Sequence, residues 1–346
     1  GDVLFGLGRL DDAEAALADA LAHDAPTNTR VAALTMLGTL RMAQERADEA
    51  EPLLLEAIAL VEREAGSSSS DLARPLNMLG VTRIQRGQAR AGIVALERAA
   101  QVLAARHGEH HALVGYALGN LAVAHGALGE HELAYRRLLE VLEIFEHASD
   151  VDDNRIAITL QNLANQALMC GRPADALRHV EREIAIITAD EVPDGEDSMG
   201  TWSLLARARR GVGDFRGSLA AWDDLLARRH AITPRYDDAL GWAELETAIT
   251  AQQAGDVTLA REHIARALTH YGRSDETSPR EHARVRIVAA RLADDRDEAV
   301  AHLHAAWTHL AASTEARESA MRLELFDTWS QLGGPKLAPW DAITTR

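Results

Sequence analysis

Leucine and alanine recur along this chain at helical spacing with polar residues on the opposite faces, so the apolar pattern predicts successive amphipathic helices, and strand-type alternation is missing. A longer rhythm overlies the short one. Gly87, Gly129, Gly171, Gly213 and Gly255 each stand 42 residues after the one before. Seven residues before each glycine is a small residue, in Gly80, Ala122, Ala164, Ala206 and Ala248, and Gly38 extends that series upstream. Immediately before these come Leu79, Leu121, Leu163 and Leu205, with Thr247 breaking the run. Five residues after the glycine stand Gly92, Ala134, Ala176, Ser218 and Ala260, with Ala50 upstream. A fixed period of this length signals stacked repeats.

Each period reads as a helical hairpin. A large apolar residue followed by a small one, then a glycine, then a second small residue on the next amphipathic stretch describes two helices crossing closely where bulky side chains are missing. The glycine ends the first helix in the left-handed conformation that costs it nothing. Carboxylates then open the second helix in Gly129-Glu130, Gly213-Asp214 and Gly255-Asp256, where its positive end favours them. Leu54, Leu96, Leu138, Val180, Trp222 and Ile264 recur further along that helix and are expected to plug the core, each contributing about 1.5–3 kcal/mol. One hairpin has too few such residues to stand alone, so neighbours must stack.

The stretch from Leu118 to Glu146 resembles the tetratricopeptide repeat family in its longer, kinesin light chain-like form, with an Asn-Leu-Ala, spacer, Gly, spacer, Ala pattern that Leu160–Leu177 repeats. The segment beginning at His107 is similar to the loop and next helix of that form. The resemblance covers nearly the whole chain and implies an all-α, right-handed superhelix, an α-solenoid of helix-turn-helix repeats. It carries no particular function, because the fold hosts many binding tasks.

The ends are less regular. Gly8 is the expected turn of a first, incomplete hairpin, Glu45 replaces the next glycine, and Asp294 or Asp295 fills the last turn. Residues 1–314 are therefore expected to form a solenoid of about eight hairpins, residues 315–333 a capping helix with Met321, Leu325, Trp329 and Leu332 on one face, and residues 334–346 a tail. Gly1–Leu7 reads as the end of a first helix without an initiator methionine, which suggests a piece of a longer protein. Gly66–Ser70 reads as a lengthened loop at a repeat boundary.

Composition narrows the function classes. A formal charge of −17 argues against binding a phosphate backbone. The single cysteine, Cys170, excludes an internal disulfide framework and points to a reducing compartment, so a cytoplasmic location is expected. No run is apolar enough to span a membrane. Phosphate-loop, nucleophile-elbow, zinc-helix and paired-cysteine motifs are missing, so no enzyme, cofactor or metal is expected. The His107–His111 stretch and the group His302, His304 and His309 read as solvated or partly packed histidines.

In the family the chain resembles, the first helix of each hairpin lines a concave groove at positions thirteen, ten, six and three residues before the turn glycine. Those offsets fall on Arg74 and Asn77, then Tyr116, then Ile158, Gln161, Asn165 and Leu168, then Ser203, Arg207 and Arg210, then Trp242 and Leu245. Amides can bond an extended peptide backbone in both directions, and arginines select carboxylate or phosphate groups. Asn165, Gln161, Arg207 and Arg210, flanked by Tyr116 and Trp242, are the expected centre. The alternative is that both arginines only solvate a helix whose apolar residues face the core. Asn120 and Asn162 match the family's Asn-Leu-Ala asparagine and either contact a peptide or bond a neighbouring helix. Chaperone-tail recognition is not expected, because the carboxylate clamp of some relatives is incomplete here. The resulting expectation is a protein- or peptide-binding scaffold, the recognition arm of a larger bacterial signalling protein, with acidic or phosphorylated groups among what it selects. The alternative is a sensor that changes superhelix pitch on binding a ligand or signal peptide and so switches an attached domain. Oligomeric state and partner identity are not legible.

Overall fold

The fold follows from how each hairpin turn is closed. The computed structural model describes residues 10–22, 25–189, 198–232, 238–273, 277–311 and 316–333, and every α-helix named below lies among them. The chain divides into two compact units, Gly1–Val192 and Pro193–Arg346.

In the first unit, α1 (Leu10–Ala22) packs on the hairpin α2 (Thr27–Ala43) and α3 (Ala47–Ala65). Three hairpins follow: α4 (Ala73–Gln85) with α5 (Ala89–His107), α6 (Ala112–Ala127) with α7 (His131–His147), and α8 (Asp153–Met169) with α9 (Pro173–Ala189). In the second unit the hairpins are α10 (Ser198–Gly211) with α11 (Phe215–Ile232), α12 (Asp238–Gln253) with α13 (Val257–Tyr271), and α14 (Pro279–Leu292) with α15 (Arg296–Ala311). A last helix, α16 (Ala316–Gln331), packs on α14 and α15. Within each unit the second helix of a hairpin also touches the first helix of the next, and first helices touch in succession from α2 to α4 to α6 and from α12 to α14 to α16. The hairpins therefore stack, with the first helices forming one layer.

The turns obey one chemistry. Gly87, Gly129, Gly171, Gly213 and Gly255 all have positive φ, between 69° and 85°. The amide after each glycine reaches back across the turn, as in Gln88 to the Arg83 carbonyl at 2.8 Å and Asp256 to the Ala251 carbonyl at 2.9 Å, so the last helical carbonyls are satisfied. Glu45 occupies the equivalent place at φ 60°, and Arg46 makes the same bond to Arg41 at 2.8 Å. At the other end Asp295 accepts from the Glu298 amide at 2.9 Å and so caps α15.

The crossings are as close as the small residues require. A side-chain carbon added at Gly80 would stand 2.5 Å from Leu96 Cγ, and one at Gly38 would stand 2.9 Å from Leu54 Cγ. All six recurring plugs are buried, from fully in Leu54, Leu96, Val180 and Trp222 to 5% exposed in Ile264. Ser218, in a series otherwise made of glycine and alanine, donates from its hydroxyl to the Ala206 carbonyl at 2.7 Å, which removes the cost of burying it. Thr247 likewise donates to Ala243 of its own helix at 2.8 Å. Met321, Leu325 and Trp329 bury against Leu303, Trp307 and Leu310, closing the end of the second unit. The Gly66–Ser70 expectation needs one correction. Ser70–Leu72 forms a turn of 3-10 helix, because the Ser69 side chain accepts from the Asp71 amide at 3.3 Å and starts the winding early. The expected turn at Gly8 and the tail from residue 334 lie outside the described residues.

Candidate functional site

In the first unit two adjoining hollows open against the first helices, with residues of the second helices, among them Val61, Leu103 and Leu138, completing their walls. One, of about 860 Å³, is bordered by Thr27, Asn28 and Val31 of α2, Arg74 and Asn77 of α4, and Tyr116 of α6. The other, of about 440 Å³, is bordered by Asn77, Tyr116, Asn120 and Val123 together with Arg155, Ile158 and Asn162 of α8. Asn77 and Tyr116 are walls common to both. Six of the expected groove residues therefore meet here: Arg74, Asn77, Tyr116, Asn120, Ile158 and Asn162.

Helical spacing places them. Asn120 lies four residues beyond Tyr116 on α6 and Asn162 four beyond Ile158 on α8, so each aromatic or aliphatic surface has an amide one turn away. Asn120 Nδ2 donates to Asn77 Oδ1 at 2.9 Å across two hairpins. Tyr116 packs on Phe145 with ring centroids 5.1 Å apart, and the Arg155 guanidinium lies 5.3 Å from the Tyr116 ring centre in cation–π geometry. Val123 and Ile158 remain 50% and 41% exposed, large apolar side chains beside amides. Asn162, and Asn165 one turn further, are half-buried and make no side-chain hydrogen bond among the described residues. Leu168 is also half-buried. Gln161 turns to the second helix of its own hairpin, donating to the buried Glu183 at 3.1 Å. The smaller hollow thus offers apolar surface flanked by the Asn162 amide, whose donor and acceptor can both bond an extended backbone.

The second unit holds the other expected residues, and it is more polar inside. Arg210 of α10 pairs with Glu246 of α12 at 2.8 Å, and Arg284 of α14 pairs with the same carboxylate. Burial works to raise the Glu246 pKa, but Arg284 and Arg210 outweigh it and hold the group below the usual carboxylate range. Burial lowers the pKa of Arg207, with Glu246 opposing and the neighbouring Arg210 and Arg284 adding to the shift. Glu244 accepts from His263 at 2.5 Å and from Arg266 at 3.0 Å. Trp242 lies edge-on to Trp222 at 5.4 Å and packs against the core. Ser203 and Leu245, expected on the groove surface, are instead buried at 8% and 1% exposure, because these positions of α10 and α12 turn into their hairpins.

Sequence reasoning missed Glu246, Arg284 and Arg155. Glu246 carried a signal, since it occupies the register of Met78, Asn120, Asn162 and Leu204, where a carboxylate needs a partner to be buried. Elsewhere, His111 accepts from the Leu113 amide at 3.2 Å, the behaviour of a cap. No group of three metal-capable side chains occurs among the described residues, and no helix among them is long and apolar enough to cross a membrane. Cys170 is half-buried and burial pushes its thiol pKa up.

No family model matches the sequence, and no curated protein matches it. Solved structures do. The apo quorum sensor NprR of B. thuringiensis is similar over 96% of this chain and 95% of its own, with 16% identity and a TM-score of 0.66. A tetratricopeptide repeat protein of Parabacteroides merdae is similar over 86% of this chain and 98% of its own, with 15% identity and a TM-score of 0.59. The kinesin light chain-like repeats of Podospora anserina are similar over 62% of this chain and their whole length, with 18% identity and a TM-score of 0.53. At such identities the likeness concerns architecture, and by architecture this chain is a tetratricopeptide-type helical solenoid.

Proposed function

We propose that the chain is a non-catalytic binding protein whose first unit takes an extended peptide or protein segment along the two hollows bordered by α2, α4, α6 and α8. The observation that carries this reading is the second hollow, where Asn162 has its amide unspent beside the exposed Ile158 and Val123. In the proposed complex Asn162 and Asn165 bond the ligand backbone, Ile158 and Tyr116 receive apolar side chains, and the Asn77–Asn120 pair fixes the wall between the hollows. Arg74 lies at the border of the larger hollow, where an acidic side chain of the ligand would be favoured.

A second reading is favoured by one comparison. The chain shares nearly the full span of its architecture with a quorum sensor, which supports a regulatory solenoid that closes on its ligand and reports to an attached domain. The two readings differ in scattering. A scaffold keeps its radius of gyration on ligand binding, and a sensor compacts.

The groove itself is tested with peptides selected from a random display library on the full chain. Ile158→Asp and Asn162→Ala should each lower the affinity of the selected peptides at least about tenfold, the loss of one desolvated anchor or one buried hydrogen-bonding pair. Affinities unchanged in both variants would place the binding surface elsewhere.

A further inference from the structure

In the second unit, charge gathers on the layer of first helices. Arg207 and Arg210 from α10, Glu246 from α12 and Arg284 from α14 converge from three successive hairpins. Glu246 is the hub, its side chain only 4% exposed, with Arg210 Nη2 2.8 Å from one carboxylate oxygen and Arg284 Nη2 donating to the other. Arg210 also donates to the Glu246 carbonyl at 3.3 Å and to Thr250 Oγ1 at 3.4 Å, so its direction is fixed from α12.

Arg207 is the exception. It lies one turn before Arg210 on the same face, is half-buried, and makes no hydrogen bond or ion pair among the described residues. Arg210 and Arg284 therefore share one carboxylate while Arg207 has none of its own, and two positive charges are left uncompensated where water is partly excluded. A cation withdrawn from water without a counter-ion costs stability. The chain carries 53 carboxylates, so the shortage at this spot is local and not compositional. The cluster is also reachable, since the side chains of Arg210 and Arg284 are 18% and 37% exposed.

We propose that Arg207, Arg210 and Arg284 form a receptor for a phosphoryl dianion carried by a protein or peptide, with Glu246 holding Arg210 and Arg284 in place between ligands. The charge of the group matches the surplus. Its tetrahedral oxygens can accept from several forked donors at once, whereas a carboxylate offers two oxygens in one plane. The site belongs to the second unit alone and does not depend on the peptide hollows of the first.

The test is calorimetric titration of the full 346-residue chain with inorganic phosphate at alkaline pH, beside acetate and N-acetyl-phosphoserine amide. Phosphate should bind saturably and at least about tenfold more tightly than acetate, and the phosphoserine derivative at least as tightly as phosphate. Arg207→Gln should weaken phosphate binding about tenfold while leaving circular dichroism unchanged, because no internal bond is lost. Glu246→Gln removes the competing anion and should tighten binding. Lack of saturable phosphate binding, acetate binding as well as phosphate, or an Arg207→Gln chain that binds like the parent overturns the receptor. Exclusion of the phosphoserine derivative while phosphate binds overturns its assignment to a protein-borne group.

Discussion

At the scale of single residues, the repeat register makes the sharpest demands at positions with no room and at one position with the wrong residue. Leu163 is fully buried, so Leu163→Ala should cost about 2–5 kcal/mol in urea unfolding, the transfer term plus the cavity left behind. Gly80→Ala should cost about 1–3 kcal/mol, because the new carbon meets Leu96 and both backbones are fixed by the crossing. Glu45 is the opposite case. It holds a left-handed conformation at φ 60° in a turn that glycine serves in five other repeats, so Glu45→Gly should stabilise the chain by about 1 kcal/mol despite the entropy glycine adds to the unfolded state. These positions were legible because the period repeats a steric requirement, and one missing glycine announces the strain that replaces it. Asn120 was legible only as a choice between ligand and neighbouring helix. Its bond to Asn77 depends on stacking across hairpins, which spacing within one repeat does not encode.

At the scale of elements, α14 and α15 are joined by a titratable seam. His282 of α14 stacks on His309 of α15 with ring centroids 4.5 Å apart, and His302 of α15 lies 3.2 Å from Arg286 of α14. Burial lowers the pKa of all three histidines, with Arg286 adding to each and the paired ring adding to His309; Asp238 and Glu281 act the other way on His282, and Glu298 on His302. Depressed values in the folded state mean that the unfolded chain takes up protons first. The seam's contribution is therefore fully present above the ordinary histidine value of 6.5 and is lost as pH falls below it. The melting temperature should drop between pH about 7.5 and about 5.5, and His282→Gln with His309→Gln should flatten that dependence. An equal slope in the double variant would locate the proton uptake elsewhere. His302 and His309 stand seven residues apart and so share a helical face, but their partners were not legible in the sequence, since His282 and Arg286 belong to another helix.

At the scale of the whole molecule, stacking makes stability a sum of neighbour interfaces within each unit. Trp329→Ala at the end of the second unit removes a packed aromatic, and the cost of about 3–5 kcal/mol should appear there first. Hydrogen exchange should show lost protection in α14 and α15 with α4 to α8 unaffected, and uniform loss would mean that the chain unfolds as one block. The architecture was readable from the period alone, but the polar hub of the second unit was not, because Arg210, Glu246 and Arg284 meet only when three hairpins are stacked. The recurring turn has one more implication. Gly87 and Gly129 share a backbone geometry, so deleting residues 88–129 would join equivalent atoms and leave a shorter array that still ends in α16. Unequal recombination at such junctions can lengthen or trim the stack by whole modules, which makes the reach of the binding surface easier to vary than its chemistry.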